Sequence, residues 1–288
     1  MNNHQPKISI ILPSYNGAEY ISKSIESVLM QDFNDFELIV IDDCSTDGTF
    51  EIAKNFALKD ERVKVFSNEK NLKLPATLNK GFNMANGAYL TWISDDNLFK
   101  QGALSFMFNY LQDNPKVDLI SCAMDKIIEG TGEFQKKTDF DKTRTSAGFL
   151  AAYCNVGGCF LFKKEVFQKI GGYDTSFFCG EDYDFWCKVA LEFEIAYSSK
   201  NFFTYTIRKG AMSNTHKKQL DDITAEIHKK YAQKILQKYP LKPADTADVY
   251  YQIYKTNNDF EILKAAFRAN FLRSLLKFSL FFIRQIGK

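Results

Sequence analysis

The sequence lacks most of the features that would assign it at a glance. Its six cysteines (Cys44, Cys122, Cys154, Cys159, Cys179 and Cys187) form no C-x-x-C pair, and none of its three histidines sits at zinc-ligand spacing. This argues against a structural zinc site or a dithiol centre and leaves free thiols in a reducing cytosol. No run of roughly 18 uncharged apolar residues occurs, so no segment reads as a membrane span. Met1–Lys7 is polar and leads directly into a strand, so no signal peptide is expected. There is no G-x-x-x-x-G-K-[ST] or G-x-G-x-x-G loop to cradle a phosphate, and no G-x-S-x-G elbow to carry a nucleophile. Neither sign of charge dominates. The 37 basic and 35 acidic side chains give +2, which argues against nucleic acid as a partner.

What is present is a soluble globular composition, with 45% hydrophobic and 25% charged residues. The length of 288 residues predicts about two domains. The near-neutral total is a cancellation. Residues 1–210 hold 23 basic and 28 acidic side chains, whereas residues 211–288 hold 14 and 7. The chain also has 27 Phe, many of them near its C-terminus.

Short apolar runs rich in β-branched residues read as buried strands at 7–12, 36–41, 63–66 and 88–93. Helical spacing falls between and after them, at 18–31, 49–58, 75–85 and 102–111, with Ser45 or Asp47 as N-cap of the second helix. Strands alternating with helices imply βαβ units and a mostly parallel sheet, hence an α/β fold. Beyond residue 120 the pattern loosens. Strands are expected at 118–123, 159–162 and 202–207 and helices at 164–170 and 182–191. A loop or hairpin is expected at 124–146, and 211–288 reads as all-helical with a break at 240–243.

In such sheets ligands bind beyond the carboxyl ends of the strands. Here three strands end in Pro13-Ser14-Tyr15-Asn16, Asp42-Asp43-Cys44-Ser45 and Ser94-Asp95-Asp96-Asn97. Adjacent carboxylates at the edge of a low-dielectric sheet repel each other and resist desolvation, and a hard divalent cation relieves both costs. A solvated loop or helix cap is the simpler account of either pair. A carboxylate at 42–43 can also accept from nucleobase or ribose donors. Glu181-Asp182-Tyr183-Asp184 places three acids in the first turn of a helix, where the dipole favours them. The functional alternative is a general base for a sugar hydroxyl.

Taken in order, S-I-I-L-P-S-Y-N-G-A-E-Y-I (9–21), I-D-D-C-S-T-D-G-T (41–49), N-G-A-Y-L-T-W-I-S-D-D-N (86–97), G-G-Y-D (171–174) and E-D-Y-D-F-W (181–186) resemble the family 2 inverting glycosyltransferases of the GT-A fold. The resemblance covers about residues 6–210. It implies a Rossmann-like catalytic domain over 1–210, followed by a helical C-terminal region over 211–288. It also implies roles. Pro13, Tyr15 and Asn16 belong to the nucleotide-binding loop, with Pro13 and Tyr15 lining the nucleobase pocket. Asp43 accepts from the base, with Asp42 beside it. Asn79, in T-L-N-K-G, matches a donor-binding segment. Asp96 contacts a divalent cation (Mn2+ or Mg2+), and Asp95 lies nearer the ribose or sugar. Gly157 and Gly158 give the close backbone approach below the donor sugar. Asp182 is the catalytic base, Glu181 stands beside it, and Arg208 lies near the diphosphate.

Three positions depart from the family pattern. Ser94 stands where the first Asp of D-x-D is usual, Leu78 replaces an Arg, and Arg208 takes the place of a His found in some members. A Q-x-x-R-W signature is absent, which disfavours a processive synthase.

The implied donor is a nucleotide diphosphate sugar. The implied acceptor is a glycan or lipid-linked hydroxyl, in bacterial surface polysaccharide assembly. The alternatives are a sugar-phosphate nucleotidyltransferase, for which 14–20 supplies no Gly- and Arg-rich phosphate loop, and a nucleotide-binding scaffold without turnover. Residues 264–288 carry six basic side chains and no acid. On a helical wheel Phe267, Phe271, Leu275, Phe278 and Phe282 share a face opposite Arg273, Lys277, Arg284 and Lys288. Such a helix either lies on an anionic membrane surface or docks on its own protein. The expected location is cytoplasmic, peripheral to the inner face of the membrane.

Overall fold

The computed structural model describes residues 5–131, 134–136, 146–177, 179–208, 215–257, 260–271, 273–275 and 277. The first half follows the expected alternation. Strands β1 (Ile8–Ser14), β2 (Phe36–Asp42), β3 (Val63–Ser67) and β4 (Tyr89–Trp92) alternate with helices α1 (Ile21–Leu29), α2 (Thr49–Ala57) and α3 (Leu74–Met84). All pairings among these four strands are parallel, in the order β3-β2-β1-β4.

The continuous apolar runs of β1 and β2 arise because both faces of the sheet are covered. Ile8, Ile10, Leu12, Leu38 and Val40 join the cluster that includes Ile21, Ile25 and Val28 of α1. Ile11, Ile39 and Ile41 point the other way, into the cluster holding Leu78 and Phe82 of α3. The two faces thus follow the two-residue period of the strand.

The second half corrects the expectation of a mostly parallel sheet. After β5 (Leu98–Phe99) and α4 (Ala103–Asp113) come β6 (Leu119–Ile128), β7 (Phe134–Lys136), a short 3-10 turn at Ala147–Ala151, β8 (Phe160–Lys163), α5 (Lys164–Ile170), α6 (Glu181–Glu192) and β9 (Ile195–Ile207). The sheet continues β4-β8-β6-β9-β5, with β7 beside β6. Strand β8 is antiparallel to both β4 and β6, β7 is antiparallel to β6, and β5 is antiparallel to β9, whereas β6 and β9 are parallel. A parallel return needs a full crossover, usually helical. The chain has one between β6 and β9, whereas the described residues between β6 and β8 hold only β7 and a 3-10 turn.

Strand β9 is longer than the 202–207 read from sequence, because the polar stretch Ser198–Asn201 hides its first half. The register with β6 shifts there, from Cys122 opposite Ser198 to Ala123 opposite Asn201. The expected hairpin at 124–146 is present as β6 and β7, and its remainder lies outside the described residues. The N-cap of α2 is Gly48, one position beyond the expected Asp47, which instead accepts the Thr49 amide at 3.0 Å.

Helices α7 (Lys217–Lys238), α8 (Pro243–Asn257) and α9 (Phe260–Ala269) follow, with the break at 240–243 where expected. Ile223, Ile227, Tyr231 and Ile235 of α7 and Val249 and Ile253 of α8 are buried in the same cluster as Trp186 and Phe185 of α6. The C-terminal helices therefore complete the core under the sheet. Much of the phenylalanine content is used in this core. Phe160 and Trp186 meet edge to face at 4.7 Å, and Tyr173 stacks on Phe185 at 4.5 Å.

Candidate active site

The loops beyond β1 and β2 are laced together. Asn16 donates its amide to Ser45 Oγ at 2.9 Å and accepts the Thr46 amide on its Oδ1 at 2.9 Å. Gly17 donates to Thr49 Oγ1 at 2.9 Å, and Ala18 to Asp47 Oδ2 at 3.1 Å. Beyond β4, Asp95 accepts the Ser14 hydroxyl at 2.5 Å, which ties that strand end to β1. Gly17 is required at this joint. A Cβ there would lie 2.1 Å from Asp95 Oδ2 and 2.5 Å from Ser14 Oγ. Among the described residues, the non-glycine positions with positive φ are Asn16, Cys44, Lys73 and Cys179. Asn16 and Cys44 lie in these two loops, Lys73 immediately precedes α3 and Cys179 lies just before α6.

Asp95 and Asp96 are both held above the usual carboxylate range, chiefly by burial. The pKa of Asp95 is pushed up to about 6. The Arg208 guanidinium, from the end of β9, opposes the shift at Asp96 through an ion pair of 2.6 Å between Nε and Oδ2. The Thr206 amide donates to Asn97 Oδ1 at 2.9 Å and holds the two strand ends side by side. Two adjacent carboxylates, Asp95 buried and Asp96 half-buried, would suit a hard dication that completes its shell with phosphate oxygens. Among the described residues no group of three or more His, Cys, Asp or Glu forms a closed cage.

The second focus is the start of α6. Asp182 is half-buried, its Oδ1 accepts the Tyr183 amide at 2.7 Å, and Cys154 Sγ lies 3.7 Å from its Oδ2. Glu181 is buried, and its Oε2 has no hydrogen-bond partner. Burial raises the proton affinity of both acids; the Asp182 charge pushes Glu181 further, to about 7, whereas the Tyr183 amide and Cys154 oppose the rise at Asp182. This focus connects to the strand ends through Tyr173, whose hydroxyl accepts the Trp92 indole N–H at 3.0 Å. Trp92 closes β4, three residues before Asp95.

Several expected site residues have other partners. Asp43 accepts the Asn68 amide group at 2.7 Å and the Leu72 and Lys73 backbone amides at 2.8 and 2.9 Å, which fixes the loop before α3. Asp42 accepts from Ser67 Oγ at 3.1 Å and from the Ser45 amide. Pro13 is buried within β1, whereas Tyr15 is 51% exposed at the rim.

Asn79, expected to touch the donor, clamps the Tyr173 backbone in both directions at 2.8 Å. Gly157 and Gly158 are packing positions. A Cβ would lie 2.9 Å from Met124 and 2.7 Å from Phe203 respectively. Arg208, expected at the diphosphate, lies on Asp96 instead. Sequence reasoning passed over Ser14, Gly17, Cys154 and Tyr173. Gly17 had a signal in its Asn-Gly position after a strand, whereas nothing in the sequence marks Cys154 as a neighbour of Asp182.

The fold and this rim define an α/β protein whose carboxylates gather at the ends of a mixed sheet, the arrangement of a GT-A-like enzyme. The chain belongs to glycosyl transferase family 2, whose family model matches residues 9–171. It is 29% identical over 231 residues to an uncharacterized glycosyltransferase of Rickettsia typhi, a match covering 78% of this chain and 71% of that one. It is 31% identical over 166 residues to the GalNAc(5)-diNAcBac-PP-undecaprenol beta-1,3-glucosyltransferase of Campylobacter jejuni, covering 57% and 54% of the two chains. Among solved structures, the mannosyltransferase PcManGT of Pyrobaculum calidifontis, in complex with GDP-Man and Mn2+, superposes with a TM-score of 0.66 at 18% identity. That match covers 99% of this chain and 81% of the other.

Proposed function

We propose that the protein transfers a sugar, with inversion, from a nucleotide diphosphate sugar to a hydroxyl of a glycan or lipid-linked acceptor in the assembly of a surface polysaccharide or glycoconjugate. The observation that carries this reading is the Trp92–Tyr173 hydrogen bond, which ties the strand leading to Asp95–Asp96 to a tyrosine stacked on Phe185 of the helix that opens with Glu181–Asp182. The Campylobacter relative, named for a undecaprenol-linked acceptor, supports a lipid-linked substrate.

In this reading the nucleotide lies on the rim formed by Pro13, Tyr15, Asn16 and the Asp42–Asp43 loop. Asp96, with Asp95 adjacent, would hold Mn2+ or Mg2+, which would supply charge stabilisation to the departing diphosphate. Asp182 accepts the proton of the acceptor hydroxyl while that oxygen bonds to the anomeric carbon from the face opposite the leaving group. The glycosidic bond to the diphosphate breaks, and the configuration inverts. A carboxylate with raised proton affinity is the better base for this step. Glu181 is buried beside it, and the Asp182 charge adds to the burial that raises the Glu181 proton affinity.

The catalytic domain spans 1–210 in this proposal, and the helices after it buttress α6. Membrane contact falls to the end of the chain. Phe271 and Leu275 are 60% and 49% exposed there, but Arg273 and Lys277 both pair with Asp248 of α8, at 2.5 and 2.6 Å. Phe278, Phe282, Arg284 and Lys288 lie outside the described residues. Among the described residues no helix is long and apolar enough to cross a membrane.

A thermal-shift screen of uridine, guanosine and thymidine diphosphate sugars, with and without Mn2+, tests the donor class. At least one should stabilise the protein and be hydrolysed slowly. Binding without any hydrolysis or transfer would favour a scaffold, and no binding at all would refute the donor assignment.

A further inference from the structure

We infer that Arg208 is a resident competitor for the divalent cation: it neutralises Asp96 in the empty site and sets how tightly metal is held there. The inference rests on the reading of Asp96 as the metal-contacting acid. Its basis is the 2.6 Å contact between Arg208 Nε and Asp96 Oδ2, the atom a metal would need. A guanidinium nitrogen packed against that oxygen and a metal on the same atom exclude each other. Unlike histidine, an arginine cannot leave by losing its proton, so pH offers no release. The guanidinium has to move.

The surroundings provide for that movement. The Arg208 guanidinium lies over the Tyr20 ring, 4.7 Å from its centroid, and the Tyr20 hydroxyl is anchored by donating to Glu129 at 2.5 Å. A cation released from Asp96 therefore keeps a face to rest on. From there its planar fork can reach a phosphate oxygen, the partner it recognises best. The charges agree with an exchange. One guanidinium offsets one of two adjacent buried carboxylates, whereas a dication offsets both. Diphosphate and metal arriving together would thus take Arg208 from Asp96 and give it a new anionic partner. The site would then hold metal weakly alone and more strongly with nucleotide.

Mn2+ titration of the full chain, following free Mn2+ by electron paramagnetic resonance, tests this without reference to turnover. Wild type, Arg208→Gln, Arg208→Lys and the double variant Arg208→Gln with Asp96→Asn are compared in the absence of nucleotide, with folding checked by thermal unfolding in chelator. Arg208→Gln should bind Mn2+ about tenfold more tightly or better, as expected for lifting a buried cation from the ligand. Arg208→Lys, which keeps the charge but lacks the fork, should fall between. The double variant should lose the gain. Equal affinity in wild type and Arg208→Gln, with Asp96→Asn still abolishing binding, would overturn the inference and leave the metal site standing. Absence of Mn2+ binding in every variant, with UDP or GDP added as well, would overturn both.

Discussion

Asp184, fully buried on α6, accepts the hydroxyl of Tyr231 on α7 at 2.7 Å. Lys188 and Lys230 supply countercharge at 2.6 and 3.4 Å. The helix that opens with Glu181-Asp182 is thereby fastened to the C-terminal helices two residues past Asp182. Removing the Asp184 carboxylate leaves Tyr231 without its acceptor and two partly exposed lysines without their counterion; water screens those lysines, so the cost stays below the roughly 3–5 kcal/mol of a fully buried pair. Asp184→Ala should still lower the midpoint of thermal unfolding. Tyr231→Phe, which removes one hydrogen bond to a charged acceptor, should cost about 1.5–3 kcal/mol. Denaturant melts of the two variants check the order. A smaller loss for Asp184→Ala than for Tyr231→Phe would show that the charge is not held by this network.

Asp182→Asn should retain donor binding and lose transfer by ~10²–10⁴-fold, the usual contribution of a general base. The acid side of the pH–rate profile is equally informative. A base works deprotonated, so activity rises as pH climbs through the proton affinity of the pair. Burial raises that affinity, so the rise should fall above the ordinary carboxylate range. Glu181→Gln removes the adjacent negative charge and should move the rise to lower pH. An unmoved profile would mean that the two carboxylates do not titrate together.

The sequence announced these acids but not their supports. β1 and β2 were legible because both faces are buried and their runs are apolar apart from Ser9 and Glu37, which pair with each other. The strand-end carboxylates followed from the rule that such sheets bind ligands at their carboxyl edge. β9 was half hidden, because Ser198–Asn201 breaks the apolar pattern at the register shift. The placement of β8 between β4 and β6 depends on long-range pairing, which local periodicity does not encode. The same holds at the site. Asp96 could be named from its neighbours in sequence, but its pairing with Arg208 joins positions more than a hundred residues apart. Asn79 was assigned to the donor by motif, and only the fold shows its amide clamping Tyr173.

His228 gives a stability signal separate from catalysis. It is buried between α7 and α8, with Nδ1 2.9 Å from Thr256 Oγ1, and burial pushes its pKa down from 6.5 to about 4. The folded state therefore resists the proton that the unfolded chain accepts. Stability should be complete above about pH 6.5 and fall as pH drops towards 4, by roughly 3 kcal/mol in all. His228→Gln should flatten this part of the stability–pH curve in urea titrations. An unchanged slope would assign the acid sensitivity to other groups.

Asp248 controls how much charge the end of the chain presents. Arg273 and Lys277 both neutralise it, so two of the cations on the basic helix face are already engaged. Asp248→Asn should free both and increase co-sedimentation with anionic vesicles, by roughly thirtyfold at low salt if each cation is worth about 1 kcal/mol near the surface. The gain should vanish at high salt. Deletion of residues 264–288 should abolish vesicle binding, and unchanged sedimentation after that deletion would rule out this helix as the contact.

The Trp92–Tyr173 hydrogen bond has a practical consequence. The chain has two tryptophans, and both belong to this neighbourhood: Trp186 is packed in the aromatic core of α6, whereas Trp92 is half-buried at the end of the strand that leads to Asp95. Indole emission from this protein therefore divides into an interior reference and a reporter beside the proposed donor pocket. Trp186→Phe would leave Trp92 as the single emitter, and quenching of its fluorescence would follow ligand arrival in real time without any added label.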